Sequence, residues 1–253
     1  MSFRWCWRLG LAAVVALAVA PSLVRADEVD DILGLKVRNR DRVQRFSGEF
    51  TAEIDQPRTL KNPKTLRMRY RVKIEKMPLA ARKHAHAMWR METEVLEPIP
   101  MALRVEGEQA WYLDQHGTWI EIPLTAELRE QFTDMSERFL GADVAEQRKR
   151  FSIKVVRRRN PIFGPKIVTL EYQPRGRTHL FGRMEEDVSS DGLPLETRLY
   201  DDTGAETVRV KVKKHHKVKG VPIVDEVESV GRGPAGETTS RTRCEQVSIE
   251  VSE

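Results

Sequence analysis

"LRMRYRVKIEK" (residues 66–76) decides the fold class. Leu66, Met68, Tyr70, Val72 and Ile74 take every second position, and Arg67, Arg69, Arg71, Lys73 and Glu75 fill the gaps. Successive side chains of a strand point to opposite faces, so this stretch has one dry face and one wet face. That is the pattern of a half-buried antiparallel strand. The alternation continues on both sides. Upstream, "FSGEFTAEI" (46–54) sets Phe46, Gly48, Phe50, Ala52 and Ile54 on one side. Downstream, "HAHAMWRMETEVLE" (84–97) aligns Trp89, Met91, Thr93 and Val95. "MALRVEGEQAWYLD" (101–114) is broken by Glu106-Gly107, and "DQHG" (114–117) turns the chain once more. A four-residue loop there sets Leu113 opposite Thr118, Tyr112 opposite Trp119 and Trp111 opposite Ile120.

Two stretches change period. "DEVDDILGLKVRNRDRVQRF" (27–46) spaces Val29, Ile32, Leu33 and Val37 by three and four, predicting an N-terminal helix. "LTAELREQFTDMSERFLGADV" (124–144) does the same with Leu124, Leu128, Phe132, Met135 and Phe139; acids come early, Arg138 late and Gly141 beyond the end. Strands then resume in "FSIKVV", "KIVTLEY", "GRMEEDVSS", "LPLETRLYD", "ETVRVKVKKHHKV", "PIVDEVESV" and "TSRTRCEQVSIEV", with turns at Asp191-Gly192, Thr203-Gly204 and Lys219-Gly220. About eleven or twelve strands and two helices are expected. The fold class is mainly β: a large antiparallel sheet curled into an incomplete, half-open barrel, with an N-terminal helix and a central lid or plug helix.

The ends bound the compartment. "MSFRWCWRLGLAAVVALAVAPSLVRA" (1–26) has a basic start, an apolar run from about Leu9 to Ala20 and Val24-Arg25-Ala26, small or tolerated residues at the cleavage offsets. This predicts a cleavable signal peptide cut near Ala26, a periplasmic location and one domain over 27–253. The alternative is an uncleaved anchor, for which the run is short, since a span needs about 20 residues. The net charge of +5 includes three leader arginines, so the remainder carries +2 and gives no case for nucleic acid. Cys6 lies in the leader and Cys244 is alone after it, so no internal disulfide is expected.

Catalytic signatures are missing. There is no nucleophile elbow, phosphate loop, dinucleotide fingerprint or zinc-helix motif. His84 and His86 point the same way on a strand but lack a third ligand, and no metal or cofactor is expected. "KVKKHHKVKG" (211–220) and the Arg67-to-Lys73 face are basic strips, read as solvated strand faces or as surfaces for anionic headgroups. "GRGPAG" (231–236) reads as a hairpin loop. What remains is apolar. The inner face of a curled sheet would carry Met68, Tyr70, Trp89, Met91, Trp111, Leu113 and Ile120, with Leu128, Phe132, Met135 and Phe139 of the central helix closing it as a lid. Tyr112 and Trp119 are expected as a pair on the opposite face.

In order, these parts resemble the LolA-like outer-membrane lipoprotein-sorting family. The carriers of the resemblance are Trp111-Tyr112-Leu113 at a strand end, Phe139-Leu140-Gly141 after the helix, and the hairpin Leu193-Pro194-Leu195, Tyr200-Asp201, Gly204. The resemblance implies an incomplete antiparallel barrel with a hydrophobic cavity. It also implies a non-catalytic, monomeric periplasmic carrier for the acyl chains of a lipid or lipoprotein, with an inner-membrane donor and an outer-membrane acceptor. The alternative is a regulatory or assembly module that uses the same half-barrel to bind a membrane-protein or lipoprotein partner.

Overall fold

Residues 28–56, 65–77, 89–98, 100–106, 109–123, 144–162, 164–176, 181–234 and 236–252 are described in the computed structural model, apart from the side chains of Arg40, Trp89 and Glu146. They form two helices, α1 (Glu28–Arg42) and α2 (Val144–Arg150), and thirteen strands. The strands are β1 (Val43–Asp55), β2 (Thr65–Lys76), β3 (Trp89–Glu97), β4 (Met101–Glu106), β5 (Gln109–Leu113), β6 (Trp119–Glu121), β7 (Phe151–Arg159), β8 (Ile167–Pro174), β9 (Arg183–Ser189), β10 (Pro194–Tyr200), β11 (Glu206–Val218), β12 (Val221–Gly233) and β13 (Gly236–Val251). All thirteen join one antiparallel sheet in the order β6-β5-β4-β3-β2-β1-β13-β12-β11-β10-β9-β8-β7. β6 and β7 are its two edges, so the sheet does not close, as the half-open class requires.

Three expectations need correction. The described residues alone form thirteen strands rather than eleven or twelve. The N-terminal helix stops at Arg42, four residues short of its expected end, and the alternation of β1 takes over from Val43. α2 was not expected: its seven residues hold a single large apolar side chain, Val144, too little to show a period. The leader, the central helix over 124–139, and His84 and His86 lie outside the described residues.

The chain divides into two units, and β1, β2 and β13 each contribute to both. The first holds α1, α2 and β7 to β12, with β13 as far as Arg243. α1 opens on Glu28, Asp30 and Asp31, which suit the positive end of the helix dipole. Its Val29 and Leu33 pack on Phe151, Ile153, Leu170 and Val188 from β7, β8 and β9. The same sheet face buries an acid. Glu186 Oε2 accepts from Lys36 Nζ of α1 at 2.6 Å and from the Tyr172 hydroxyl at 2.9 Å. Burial, then the Glu186 charge, pushes the Tyr172 phenol well above its usual value, so it remains a donor.

The second unit holds β2 from Arg67 through β6, the first part of β1 and the end of β13. Its apolar positions are those of the opening alternation: Tyr70, Val72 and Ile74 are buried, and Met68 is half-buried between exposed Arg67 and Arg69. Phe50 of β1 stacks on Tyr70 at 5.4 Å between centroids.

Candidate functional site

Pairing carries the faces of β2 outward strand by strand. Ile74 lies opposite Met91, Met91 opposite Val105 and Val105 opposite Ala110. Leu103 lies opposite Tyr112, and Tyr112 opposite Ile120. Residues directly opposite share a face, so Tyr70, Met91, Leu103, Tyr112 and Ile120 line one apolar side from β2 to β6. Burial along it is graded. Leu103, Val105 and Ala110 are buried, whereas Tyr112 is 41% and Ile120 38% exposed. The apolar face is therefore covered from β2 to Ala110 of β5 and open at Tyr112 and Ile120.

The other side is charged. Arg71 donates to Glu49 and to Glu94, Arg90 to Glu106, and Arg104 to Glu92 at 2.9 Å. Hydrogen bonds from Arg71 and then Arg69 hold the Glu49 carboxyl below its usual value. The ladder ends on an aromatic: the Arg104 guanidinium lies 4.2 Å from the ring centroid of Trp119. The Arg67-to-Lys73 strip is thus largely a partnered face.

This pairing corrects the expected hairpin. Leu113 faces Trp119, Tyr112 faces Ile120 and Trp111 faces Glu121, so the connection is one residue longer than the four assumed. A one-residue shift moves every side chain to the opposite face. Trp111 and Leu113 therefore stand on the charged side with Trp119, and Tyr112 joins Ile120, Tyr70 and Met91 on the apolar side. The cause is turn chemistry. The amide of Asp114 donates to Thr118 O at 2.9 Å, and Asp114 Oδ1 accepts from the amides of His116 and Thr118 at 2.9 and 2.8 Å. Gly117 sits at φ +77°, closing a three-residue turn with a bulge. Trp89 is in β3, but its side chain is outside the described ones, as are Leu128, Phe132, Met135 and Phe139.

Titratable side chains of the first unit are grouped into ion pairs. Asp187, fully buried, accepts from Thr169 Oγ1 at 2.6 Å, from Arg198 Nη2 at 3.0 Å and from Arg159. Glu171 and Glu185 are answered by Lys154, Arg183 and Arg198. The basic strip of β11 is answered from β12 and the β9–β10 turn: Lys213 by Glu228, Lys214 by Glu226, His216 by Asp225 and Lys217 by Asp191. Glu171 and Glu185 lie directly opposite each other across β8 and β9, and Arg183 bridges the two carboxylates. Cys244 donates weakly to Gln246 O. Among the described residues no group of three potential ligands could hold a metal ion, and no helix is long and apolar enough to cross a membrane.

The open thirteen-stranded antiparallel sheet matches the fold of an incomplete LolA-like barrel. Solved structures bear this out. The chain is similar to a DUF1329 family protein from Desulfovibrio piger, with a TM-score of 0.64 and 15% identity over 90% of this chain and 95% of that one. It is similar to a LolA superfamily protein from Nitrosomonas europaea, with a TM-score of 0.57 and 12% identity over 90% and 96% of the two chains. A domain from Vibrio parahaemolyticus described as an outer membrane lipoprotein-sorting protein gives a TM-score of 0.59 and 10% identity over 87% and 93%. At these identities the likeness establishes the fold. No protein-family model and no curated protein matches the sequence.

Proposed function

We propose that the protein is a non-catalytic periplasmic carrier. It holds acyl chains of a lipid or lipoprotein against the apolar face of β2 to β6. The observation that carries this is the exposed Tyr112–Ile120 pair, contiguous with the buried Tyr70–Met91–Leu103 surface. Aromatic and branched side chains left open beside a dry face offer an acyl chain ready contacts. The fold supports the same reading, and residues 1–26 read as the export signal for one lipid-binding domain over 27–253.

Protein purified from its native source should release lipid on organic extraction, identified by mass spectrometry. Ile120→Asp and Tyr112→Asp should each strip most of that lipid per folded molecule. Trp111→Ser, on the charged side, should leave the load intact. Wild-type protein without lipid, or full loading of Ile120→Asp, refutes the carrier. A stable complex with one membrane-protein partner and no lipid would point instead to an assembly module.

A further inference from the structure

The β7–β8 hairpin carries a feature that the carrier site does not use. Its strands pair as far as Arg159 opposite Ile167, and residues 160–162 and 164–166 are the described part of the tip. Ile162 at that tip is 93% exposed, whereas the other exposed large apolar side chains, Val156 among them, lie near 40%. The tip is stiffened and held. Pro161 and Pro165 fix their own φ angles, Gly164 sits at φ +105°, and Lys166 O accepts from the Ser190 amide at 2.8 Å. An isoleucine held out in water by a braced loop implies a contact made elsewhere.

The charges say with what. Residues 151–170 contain no acid and five bases: Lys154, Arg157, Arg158, Arg159 and Lys166. Three are neutralised from other elements, Lys154 by Glu171, Arg158 by Glu28 and Arg159 by Asp187. Arg157 and Lys166 are exposed, and no ion pair engages them among the described residues. Basic residues on an edge strand also discourage strand addition, but that does not account for Ile162. A protein partner would need a broad patch, on the order of 1,000 Å², which one apolar tip does not offer. A membrane surface needs only an apolar anchor with cations at headgroup height.

We propose that the β7–β8 hairpin is a membrane-contact element, inserting Ile162 among the acyl chains of an anionic phospholipid surface while Arg157 and Lys166 meet the headgroup phosphates. It rests on the carrier reading for its purpose and on the hairpin alone for its geometry. One side chain and two cations give a weak, reversible attachment, suited to a protein that must leave again.

The test uses the exported protein, wild type and variants in the same form, mixed with millimolar lipid as vesicles of phosphatidylcholine alone or with equal phosphatidylglycerol. Wild type should float with the phosphatidylglycerol vesicles, and the bound fraction should fall as salt rises. Ile162→Ser should weaken partitioning about tenfold or more. Arg157→Gln and Lys166→Gln should each weaken it about fivefold. Melting temperatures should be unchanged, since all three side chains are exposed. Wild type that ignores anionic vesicles, or Ile162→Ser that binds as wild type does, overturns the proposal. Extracting lipid from the same preparations separates the two ideas. Vesicle binding without carried lipid keeps the hairpin and discards the carrier, and carried lipid without vesicle binding does the reverse.

Discussion

Gly192 and Gly204 occupy the same position of the same turn, at φ +80° and +83°. In each, the first residue's amide donates to the carbonyl four residues on, Ser189 to Leu193 and Asp201 to Ala205, both at 2.9 Å. The side-chain oxygen of that first residue accepts in turn from the amide of the fifth, Leu193 to Ser189 at 3.1 Å and Ala205 to Asp201 at 2.9 Å. With Asp114 this makes three turns of one design, in "DQHG", "SSDG" and "DDTG". The pattern was legible, but its length was not, because the sequence shows the glycine and not the bulge that adds a residue. Surroundings now separate the glycines. A Cβ on Gly204 meets nothing within 4 Å, so Gly204→Ala should cost only the backbone strain, about 1 kcal/mol. A Cβ on Gly192 would lie 3.0 Å from Leu35 Cγ of α1, so Gly192→Ala should cost more, about 2–3 kcal/mol. Urea denaturation of both checks the order; equal losses would mean that α1 yields freely. Asn39 lies beside this turn, fully buried, with neither amide atom hydrogen-bonded. Asn39→Leu is close in volume and should stabilise by about 1 kcal/mol. A loss of stability would reveal a partner for the amide.

At the scale of elements, α1 is held to its sheet by a charge as well as by Val29 and Leu33. Lys36 and Tyr172 are the two groups that satisfy Glu186, whose side chain is only 9% exposed. Removing Lys36 leaves a nearly buried carboxylate with one neutral donor. Lys36→Met should destabilise by about 2–3 kcal/mol, below the figure for a fully buried pair because Lys36 keeps some solvent contact. Adding Glu186→Leu should recover most of the loss, and the double-mutant cycle isolates the coupling. The periods of α1 and of most strands were legible because each buries one face and wets the other. The Lys36–Glu186 pair was not, since 150 residues separate its members and no local period links them. α2 was illegible for a different reason. It ends on Arg148, Lys149 and Arg150, which suit a helix C-terminus, and Arg148 donates to Asp30 of α1, a tertiary anchor that sequence does not display.

In each unit the described strands are laced with ion pairs, and that decides the response to acid. The alternation of β2 was enough to place the chain in the half-open class. Of the expected cavity residues, Tyr70, Met91 and Ile120 share one face by strand pairing, while Trp111 and Leu113 fall on the other through a single residue of register. Charge pairing across strands was not legible, yet it carries a sharp prediction. A hydrogen bond from Arg71 lowers the Glu49 carboxyl, one from Arg241 lowers Glu226, and the Thr203 hydroxyl and the turn amides lower Asp201. Burial raises Glu206, but hydrogen bonds from Arg209 and Arg232 outweigh it and leave that carboxyl low as well. A carboxyl held lower in the folded chain than in the unfolded one adds stability above its unfolded value and loses it as pH falls through the folded value. The ordinary values are 4.5 for Glu and 3.8 for Asp. Stability should therefore hold level from neutrality to about pH 5 and then fall steadily below it. Urea midpoints taken stepwise down to pH 3 measure this. Glu49→Gln should be less stable than wild type at pH 7 and should converge on it toward pH 3, where the wild-type carboxyl is itself becoming protonated. High salt should flatten the decline, since these pairs face solvent. A midpoint that stays constant below pH 4, or a Glu49→Gln deficit that does not shrink with acid, would mean that the ladders are surface decoration and that packing alone holds the sheet.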